Sequence, residues 1–322
     1  MKTKYLFLFF LISLIIAILL SLRPNLTINN DNLSPISNYF PTNTPTNTPT
    51  LTPPPTVTFG LMGDLGLGRH ITSIARSKND FSWSFKEISH ILQQNDFNLA
   101  NLESPIIKDC PKGETGTFTF CGDTRFLPQL FENKFIFNLA NNHIFNYGND
   151  GFSQTKNYLN DNKIGYFYSH QPDSEFFQKN INGVNFGFLG FDYITNPKLE
   201  SKTIIDLVKK YDPHVDWLIV SLHWGNEYLP DPEKWRVDLA HQLIDAGADI
   251  IHGHHPHVLQ LKEIYNDKPI YYSLGNFIFD QNWSIETSKS EIINLTITKT
   301  HIVNQKIIPL IIKHNSQPQP VI

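Results

Sequence analysis

The chain of 322 residues has only two cysteines and no run of basic residues. Its formal net charge of −4 and its scattered lysines and arginines lack the charge pattern that attracts a nucleic acid backbone, so nucleic acid is not expected as a partner. The cysteines, Cys110 and Cys121, lack CxxC or zinc-finger spacing and are interpreted as structural. In an exported domain they could close a short loop as a disulfide, and the sequence leaves that pairing open.

Charge is also missing from residues 5–22, an apolar run that follows Lys2 and Lys4. As a helix this run would be about 27 Å long, close to the thickness of a bilayer core. The run is long for a cleaved signal peptide, and no small-residue cleavage motif follows before Arg23. A buried core helix is a third interpretation, which the polar sequence that follows disfavours. We expect residues 1–22 to be a single-pass anchor in the cell membrane, with the rest of the chain extracytoplasmic because the positive flank stays inside.

Residues 23–56 are polar and have no helical or strand period. A four-residue repeat starts at Pro41, Pro45 and Pro49 and is followed by three prolines at residues 53–55. Such a segment buries too little apolar surface to offset the entropy of ordering, and its prolines keep it extended. It predicts a linker that holds a globular domain, residues 57–322, away from the membrane.

The remaining sequence can form a core, since 40% of the chain is hydrophobic and 24 residues are phenylalanine. Strand-like apolar runs are predicted at residues 57–62, 97–102, 135–140, 165–168, 184–191, 217–222, 269–274, 292–297 and 307–312. Helical patterns are predicted at residues 83–94, up to 132, at 153–162, at 202–211, and from an N-cap at Asp231 to a stop at Gly247. This alternation predicts one α/β domain with largely buried strands, some of them parallel.

Residues suited to metal chemistry share one position, just past the C-terminal end of an apolar run. They are Asp64, Glu103, Asn142 with His143, His223, and four of the 13 histidines, which lie between residues 252 and 257. Open α/β sheets bind ligands in the crevice at that edge. Imidazoles at the end of a buried strand are poor core material because their nitrogens need partners, and they are good transition-metal ligands. The sequence therefore predicts a metal site at the sheet edge.

Each of these residues also has a simpler interpretation. The alternatives are a turn cap for Asp64, a solvated loop acid for Glu103, backbone-bonding loop residues for Asn142 and His143, a core-edge histidine for His223, a surface charge for Arg69 and a solvated turn for the histidine cluster. Their shared position at strand ends favours the metal site over a set of unrelated explanations.

Six motifs occur in an order that is typical of one family. They are GDLGLGR at residues 63–69, ANLE at 100–103, LANNH at 139–143, HWGNEY at 223–228, GHHPH at 253–257 and YSLGNF at 272–277. The ordered set resembles the CapA family of capsule and poly-γ-glutamate synthesis proteins, within the calcineurin-like metallophosphoesterases. The resemblance covers roughly residues 57–280, and the ordered set is far more specific than any single motif.

The resemblance implies a four-layer α/β/β/α sandwich of the metallophosphoesterase type, with metal ligands on loops at one edge of two packed sheets. It implies one or two divalent ions, with Mn, Fe or Zn favoured by mixed carboxylate, amide and imidazole ligands. The implied ligands are Asp64, Glu103, Asn142, His223, His255 and His257. His143 would donate a proton to the leaving group, and Arg69 and Asn141 would contact the substrate.

Two departures from the family pattern concern the site. The superfamily usually opens with Asp-x-His, whereas Asp64 is followed by leucine and glycine, as in CapA-type members, so one imidazole is missing and a second metal would be weak or absent. Asn146 stands where relatives often carry an aspartate, which would loosen the support of His143. His252 and His254 occupy variable positions of the Gly-x-His-Pro-His pattern and are not expected to be primary ligands.

Three functions are compatible with this sequence. The first is an anchored, outward-facing metal-dependent hydrolase or transferase that acts on an anionic envelope polymer, by resemblance poly-γ-glutamate or capsular material, or on a phosphoester. The second is a non-catalytic accessory subunit that binds the polymer within a membrane synthesis and export complex. The third is a stalked adhesin whose histidines are incidental.

Overall fold

The computed structural model describes residues 54–111, 118–169 and 176–321. The anchor predicted for residues 1–22, and the predicted linker up to residue 53, lie outside the described residues. Within the described part, no helix combines the length and the apolar character needed to cross a membrane.

Strands and helices alternate along most of the described chain. The strands are β1 (Val57–Leu65), β2 (Phe97–Leu102), β3 (Ile106–Ile107), β4 (Gly122–Asp123), β5 (Phe135–Asn138), β6 (Gly165–Phe167), β7 (Phe177–Ile181), β8 (Val184–Asp192), β9 (Trp217–His223), β10 (Ile250–His254), β11 (Lys262–Tyr265), β12 (Lys268–Tyr271), β13 (Asn276–Ile278), β14 (Lys289–Ile297), β15 (Ile302–Lys313) and β16 (Gln317–Pro320). The helices are α1 (Arg69–Lys78), α2 (Ser89–Leu92), α3 (Leu127–Glu132), α4 (Gly148–Asp161), α5 (Ser201–Tyr211), α6 (Lys234–Asp245) and α7 (Ile285–Ser288). Short 3-10 turns lie at Trp83–Phe85, Thr124–Phe126 and Asp212–His214.

Two large sheets each have a parallel centre. The first sheet has the order β16-β15-β14-β1-β2-β5-β6, and β13 also pairs with β1. The strands β1, β2, β5, β6 and β13 pair in parallel, whereas β14 pairs antiparallel with β1 and β15, and β15 pairs antiparallel with β16. The second sheet has the order β11-β12-β10-β9-β8-β7, with antiparallel strands at both edges. Parallel strands are covered on both faces, which explains why their sequences are continuous apolar runs.

Buried side chains fill the spaces between four layers. Phe59 and Phe97 of the first sheet stack with ring centres 4.7 Å apart, and both pack edge-on against Phe186 of the second sheet. Helices α1 to α4 contribute to a core on the other face of the first sheet. Helices α5 and α6 cover the outer face of the second sheet. The order helix, sheet, sheet, helix confirms the predicted mixed α/β fold.

The helices differ from the expectation at three places. The helix predicted over residues 83–94 is wrong, because Ile88 leaves the helical region (φ −124°, ψ −17°) and separates a 3-10 turn from the four-residue α2. Helix α6 begins two residues later than an N-cap at Asp231 predicts. The sequence pattern does not predict α1, whose buried apolar residues are just Ile71 and Ala75.

Candidate metal centre

The strand ends of both sheets bring the predicted ligands to one edge. In the first sheet, Asp64 is in register with Asn101 of β2 and with Asn276 of β13. In the second sheet, His223 at the end of β9 is in register with His254 at the end of β10. Since parallel strands have their carboxyl ends on the same side, the loops after β1, β2, β5, β9 and β10 open on a common edge.

Asp64, Glu103 and His223 form the first donor group. One ligand atom of each lies within 4.8 Å of the other two, and all three side chains are fully buried. Asn142 joins them, with its Oδ1 2.9 Å from Nε2 of His223. Carboxylate, imidazole and amide oxygen together are donors that divalent transition metals accept.

A buried asparagine braces this first donor group. The Nδ2 of Asn101 donates to Oδ1 of Asp64 at 2.8 Å and lies 3.3 Å from Nδ1 of His223. Its own Oδ1 accepts from the side-chain amides of Asn138 at 3.2 Å and Asn141 at 3.0 Å. Asn101 lies inside the ANLE motif, yet its bracing role depends on strand register and is missing from the predicted site residues.

Glu227, His255 and His257 form the second donor group, and their ligand atoms also lie within 4.8 Å of one another. His257 connects the two groups, because its Nδ1 is 3.3 Å from Oδ2 of Asp64 and its Nε2 is 3.7 Å from Oε1 of Glu103. All six predicted ligands therefore converge at this edge. Glu227, in the HWGNEY motif, is an additional donor that the sequence reasoning missed.

Asn276 fixes the ring orientation of His257. The Nδ1 of His257 is 2.9 Å from Oδ1 of Asn276. The amide nitrogen of Asn276 donates to the carbonyl of Thr287 at 3.0 Å, so its oxygen faces the ring. The proton is therefore on Nδ1, and Nε2 keeps its lone pair for a ligand. Metal-binding histidines commonly donate their other N–H in this way.

Several buried atoms at this edge need a partner that the described protein does not supply. Among the described residues, Oε1 of Glu103, Nδ1 of His255 and both ring nitrogens of His254 make no hydrogen bond. Each unpaired buried atom costs about 1–3 kcal/mol. A divalent cation would pair with the carboxylate and the imidazole, so the residues present fit a metal.

The backbone around the second donor group is held in an uncommon conformation. His255 (φ 94°) and His257 (φ 57°) both lie in the left-handed region. For residues other than glycine this costs on the order of 1–3 kcal/mol, and such conformations concentrate at functional sites because the surrounding structure must enforce them. The turn through Pro256 thus directs two imidazoles toward the same point.

Burial affects the two buried carboxyl groups differently. Burial raises the pKa of Glu103 well above its usual range, and the neighbouring charge of Asp64 adds to that shift. Burial also acts to raise the pKa of Asp64, but the hydrogen bond and charge of His257, followed by the charges of His254 and His223, lower it below its usual range. The pair therefore resists carrying two negative charges until a cation balances them.

Burial keeps His223, His254 and His255 neutral. Burial lowers the pKa of His254 to about 4 and that of His255 to about 3, and it lowers the pKa of His223 well below the ordinary value. Neutral imidazole is the form that binds a metal, so these side chains are in the binding form at neutral pH.

His143 faces the first donor group with an unprotonated nitrogen. Its Nδ1 is 3.1 Å from Oδ1 of Asn146, an oxygen that also accepts the backbone N–H of Phe120 at 2.7 Å. Nδ1 therefore carries the proton, and Nε2, 3.9 Å from Oε1 of Glu103, is an acceptor. Burial lowers the pKa of His143 to about 4. The proton-donor role that the resemblance implies would require a proton on Nε2.

The disulfide left open by the sequence is present and bears on His143. Cys110 and Cys121 are bonded, and Phe120, next to Cys121, stacks on the His143 ring with centres 4.0 Å apart. The guanidinium of Arg69 lies 4.4 Å from the centre of the Phe120 ring. The disulfide therefore holds the Phe120 ring between His143 and Arg69.

The two predicted substrate contacts have different environments. Arg69 is ion-paired with Asp280 beside the Phe120 ring. Asn141 is buried; its Nδ2 donates to the carbonyl of Leu102 at 2.8 Å, and its Oδ1 accepts the backbone N–H of His143 at 3.1 Å. Both the nitrogen and the oxygen of its amide are therefore hydrogen-bonded within the protein, and the substrate contact stays a prediction.

Comparison with known proteins identifies the family of this chain. The family described as bacterial capsule synthesis protein PGA_cap matches residues 58–281. The chain is 32% identical to the PGA biosynthesis protein CapA of Bacillus subtilis (strain 168) over 282 residues, which are 81% of this chain and 72% of that protein. It is 29% identical to the capsule biosynthesis protein CapA of Bacillus anthracis over 288 residues, which are 82% of this chain and 69% of that protein.

A solved structure supports the fold. A hypothetical protein from Thermus thermophilus superposes with a TM-score of 0.52 at 14% identity, covering 78% of this chain and 98% of that one. At that identity the likeness concerns the fold alone. The ordered motifs, the match over residues 58–281 and the two CapA relatives show that the chain belongs to the bacterial capsule synthesis protein family PGA_cap, the CapA family.

Proposed function

We propose that this protein is a membrane-anchored, extracytoplasmic component of capsule or poly-γ-glutamate synthesis with a metal-dependent, hydrolase-type site. The convergence of six predicted ligands on one sheet edge carries the proposal. The layer order helix, sheet, sheet, helix supports its place among the calcineurin-like metallophosphoesterases. The uncharged run at residues 5–22 supports the anchor, and the names of the two CapA relatives support the envelope polymer as substrate.

The residues at the site have separable roles in this proposal. When bound, one or two divalent cations of the Mn, Fe or Zn class would supply Lewis acidity and activate water. Asp64, Glu103, Asn142, His223, His255 and His257 would hold them. The unprotonated Nε2 of His143 would accept a proton from a group bound at the metal centre. The stacked Phe120 ring shields one face of this imidazole from water. Arg69 offers a guanidinium to the carboxylates or phosphates of an anionic chain.

Metal analysis of the purified full chain tests the proposal most directly. We expect near-stoichiometric bound metal, and turnover of a phosphodiester or polymer substrate when Mn²⁺ is added. Replacing His143 by Ala should abolish turnover while the metal content stays unchanged. A protein without bound metal under all loading conditions would contradict the metal site, and it would favour the adhesin interpretation.

An accessory role is the second candidate, and the neutral state of the His143 ring favours it. Because the neutral Asn146 and not an acid faces Nδ1, and burial lowers the pKa of His143 to about 4, Nε2 carries no proton to give to a leaving group at neutral pH. An accessory subunit would bind metal and the anionic polymer, show no turnover on any substrate, and co-purify with membrane synthesis proteins. Metal binding together with measurable turnover would exclude this candidate.

A further inference from the structure

Glu227 lies in a loop that is hydrogen-bonded to residues 254–257, the segment that carries His255 and His257. The backbone N–H of Trp224 donates to the carbonyl of His254 at 3.2 Å, and the backbone N–H of Tyr228 donates to the carbonyl of Pro256 at 2.9 Å. These two bonds flank Glu227 on either side. Tyr228 is itself left-handed (φ 64°), so the loop is held in a defined conformation although Glu227 is exposed.

The buried Arg236 supports the loop that carries Glu227. Arg236 is fully buried, and its guanidinium donates to Gln260 at 2.7 Å and to the carbonyl of Tyr272 at 2.8 Å. Gln260 in turn donates to the carbonyl of Leu229 at 2.8 Å. Gly225 is left-handed (φ 85°), and a Cβ there would lie 2.2 Å from the guanidinium. The close approach of Arg236 therefore requires glycine and fixes the course of the loop toward the site.

The carboxylate that this loop presents meets two imidazoles with available nitrogens. The ligand atoms of Glu227, His255 and His257 lie within 4.8 Å of one another. Nδ1 of His255 is buried without a hydrogen-bond partner in the described part of the chain, and Asn276 leaves Nε2 of His257 unprotonated. One carboxylate and two imidazoles form a common ligand set for a first-row divalent metal.

The first motif cannot supply the missing imidazole at this position. Gly66 stands where Asp-x-His places its histidine, and a Cβ on Gly66 would lie 2.7 Å from the ring of Phe279. The aromatic ring excludes a larger side chain from that point. A second cation must therefore take its third protein ligand from another loop.

We propose that Glu227, with His255 and His257, binds a second divalent cation beside the first donor group, so that the centre is dinuclear. This inference rests on the proposed metal centre. It assigns the replacement for the missing imidazole to the loop after β9, and it makes the HWGNEY motif a source of two ligands, one for each cation.

Manganese binding by the full chain separates this inference from the proposed function. The protein is stripped with a chelator, loaded with Mn²⁺, and measured by elemental analysis, titration calorimetry and electron paramagnetic resonance. We expect two ions per chain with a spin-coupled signal. Glu227→Gln, which keeps the shape and removes the charge, should leave one tight ion and weaken the other by at least about tenfold. Glu87→Gln, at an exposed glutamate outside the six site motifs, is the matched control and should match the wild type.

Each other outcome has a definite meaning. Two ions of unchanged affinity in Glu227→Gln would overturn the role of Glu227 and leave the metal centre standing. A wild type that binds one ion, unaffected by the substitution, would overturn the dinuclear centre. A wild type that binds none would overturn the proposed function and this inference together. Loss of turnover in Glu227→Gln with both ions retained would assign Glu227 to the substrate and not to the metal.

Discussion

The two donor groups meet at one edge but are built differently. Asp64 and His223 lie within strands and Glu103 directly follows one, and the amide of Asn101 braces the group through strand register. The second group lies on loops whose backbone is left-handed at several positions, and its carboxylate is exposed. A rigid strand-based site loses less entropy when it binds a ligand. We therefore expect the first group to bind its cation more tightly than the second.

Removing Asp64 should have the largest effect on this comparison. Asp64→Ala deletes a carboxylate of the first group that also lies 3.3 Å from Nδ1 of His257 in the second. Metal content should therefore fall, and any turnover should drop by more than about a hundredfold, beyond the loss typical of residues that only support a ligand. Elemental analysis and a phosphodiesterase assay measure both effects. Asp161→Ala, at an exposed aspartate of α4, is the control; equal metal content in the two variants would show that Asp64 is not a ligand.

Removing the asparagine brace should have the next largest effect, and it should fall mainly on the first group. Asn101→Ala leaves Asp64 and His223 without a shared partner, which should weaken the tighter ion about 10- to 100-fold. Asn276→Ala removes the partner of His257 and should weaken mainly the looser ion. Calorimetric titration of both variants with Mn²⁺ tests the contrast. If both substitutions weakened the same ion, the division into two groups would be wrong.

Opening the disulfide should affect stability more than metal binding. The bond joins residues eleven positions apart, so replacing Cys110 and Cys121 by Ser should lower the free energy of unfolding by about 2–3 kcal/mol. It should also release Phe120 from His143 and reduce turnover while the metal content stays unchanged. Denaturant unfolding and metal analysis measure the two effects separately. An unchanged unfolding midpoint would mean that other contacts hold this loop.

The smallest expected effect is a dependence of stability on pH in chelator-treated protein. The lowered pKa values of His143 and His254 (about 4) and His255 (about 3) mean that the unfolded chain, with values near 6.5, binds more protons between those limits. The melting temperature should therefore rise as the pH increases from about 4 to about 6.5. The raised pKa of Glu103 acts in the opposite direction, but it is one group against five, because burial lowers the pKa values of His223 and His252 as well. Thermal unfolding across this range would refute the expectation if stability fell with increasing pH.

The sequence predicts the first donor group better than the second. Asp64, Glu103 and His223 follow apolar runs, and a buried parallel strand fixes where such a run must end. Asn101 and Asn276 lie inside recognisable motifs, but their roles depend on which residues face Asp64 across β2 and β13. Those pairings join residues far apart in the chain, so no local pattern reports them.

Glu227 could not be predicted for a different reason. Its carboxylate reaches the histidines because Gly225 and Tyr228 adopt left-handed conformations and Arg236 supports the loop. Glycine permits that conformation without requiring it, and for Tyr228 only the surrounding contacts enforce it. The helix expected at residues 83–94 failed in a related way, since apolar spacing alone does not report the break at Ile88.

The pairing of β1 has a practical consequence for how this protein can be divided. The family match ends at residue 281, yet β14 lies beyond it and pairs with residues 57–61 of β1. A fragment cut at the family boundary would leave the strand that carries Asp64 with an open edge, where unpaired backbone groups invite aggregation. The polypeptide after residue 281 is therefore part of the scaffold of the metal centre, and fragments for expression should extend through β16.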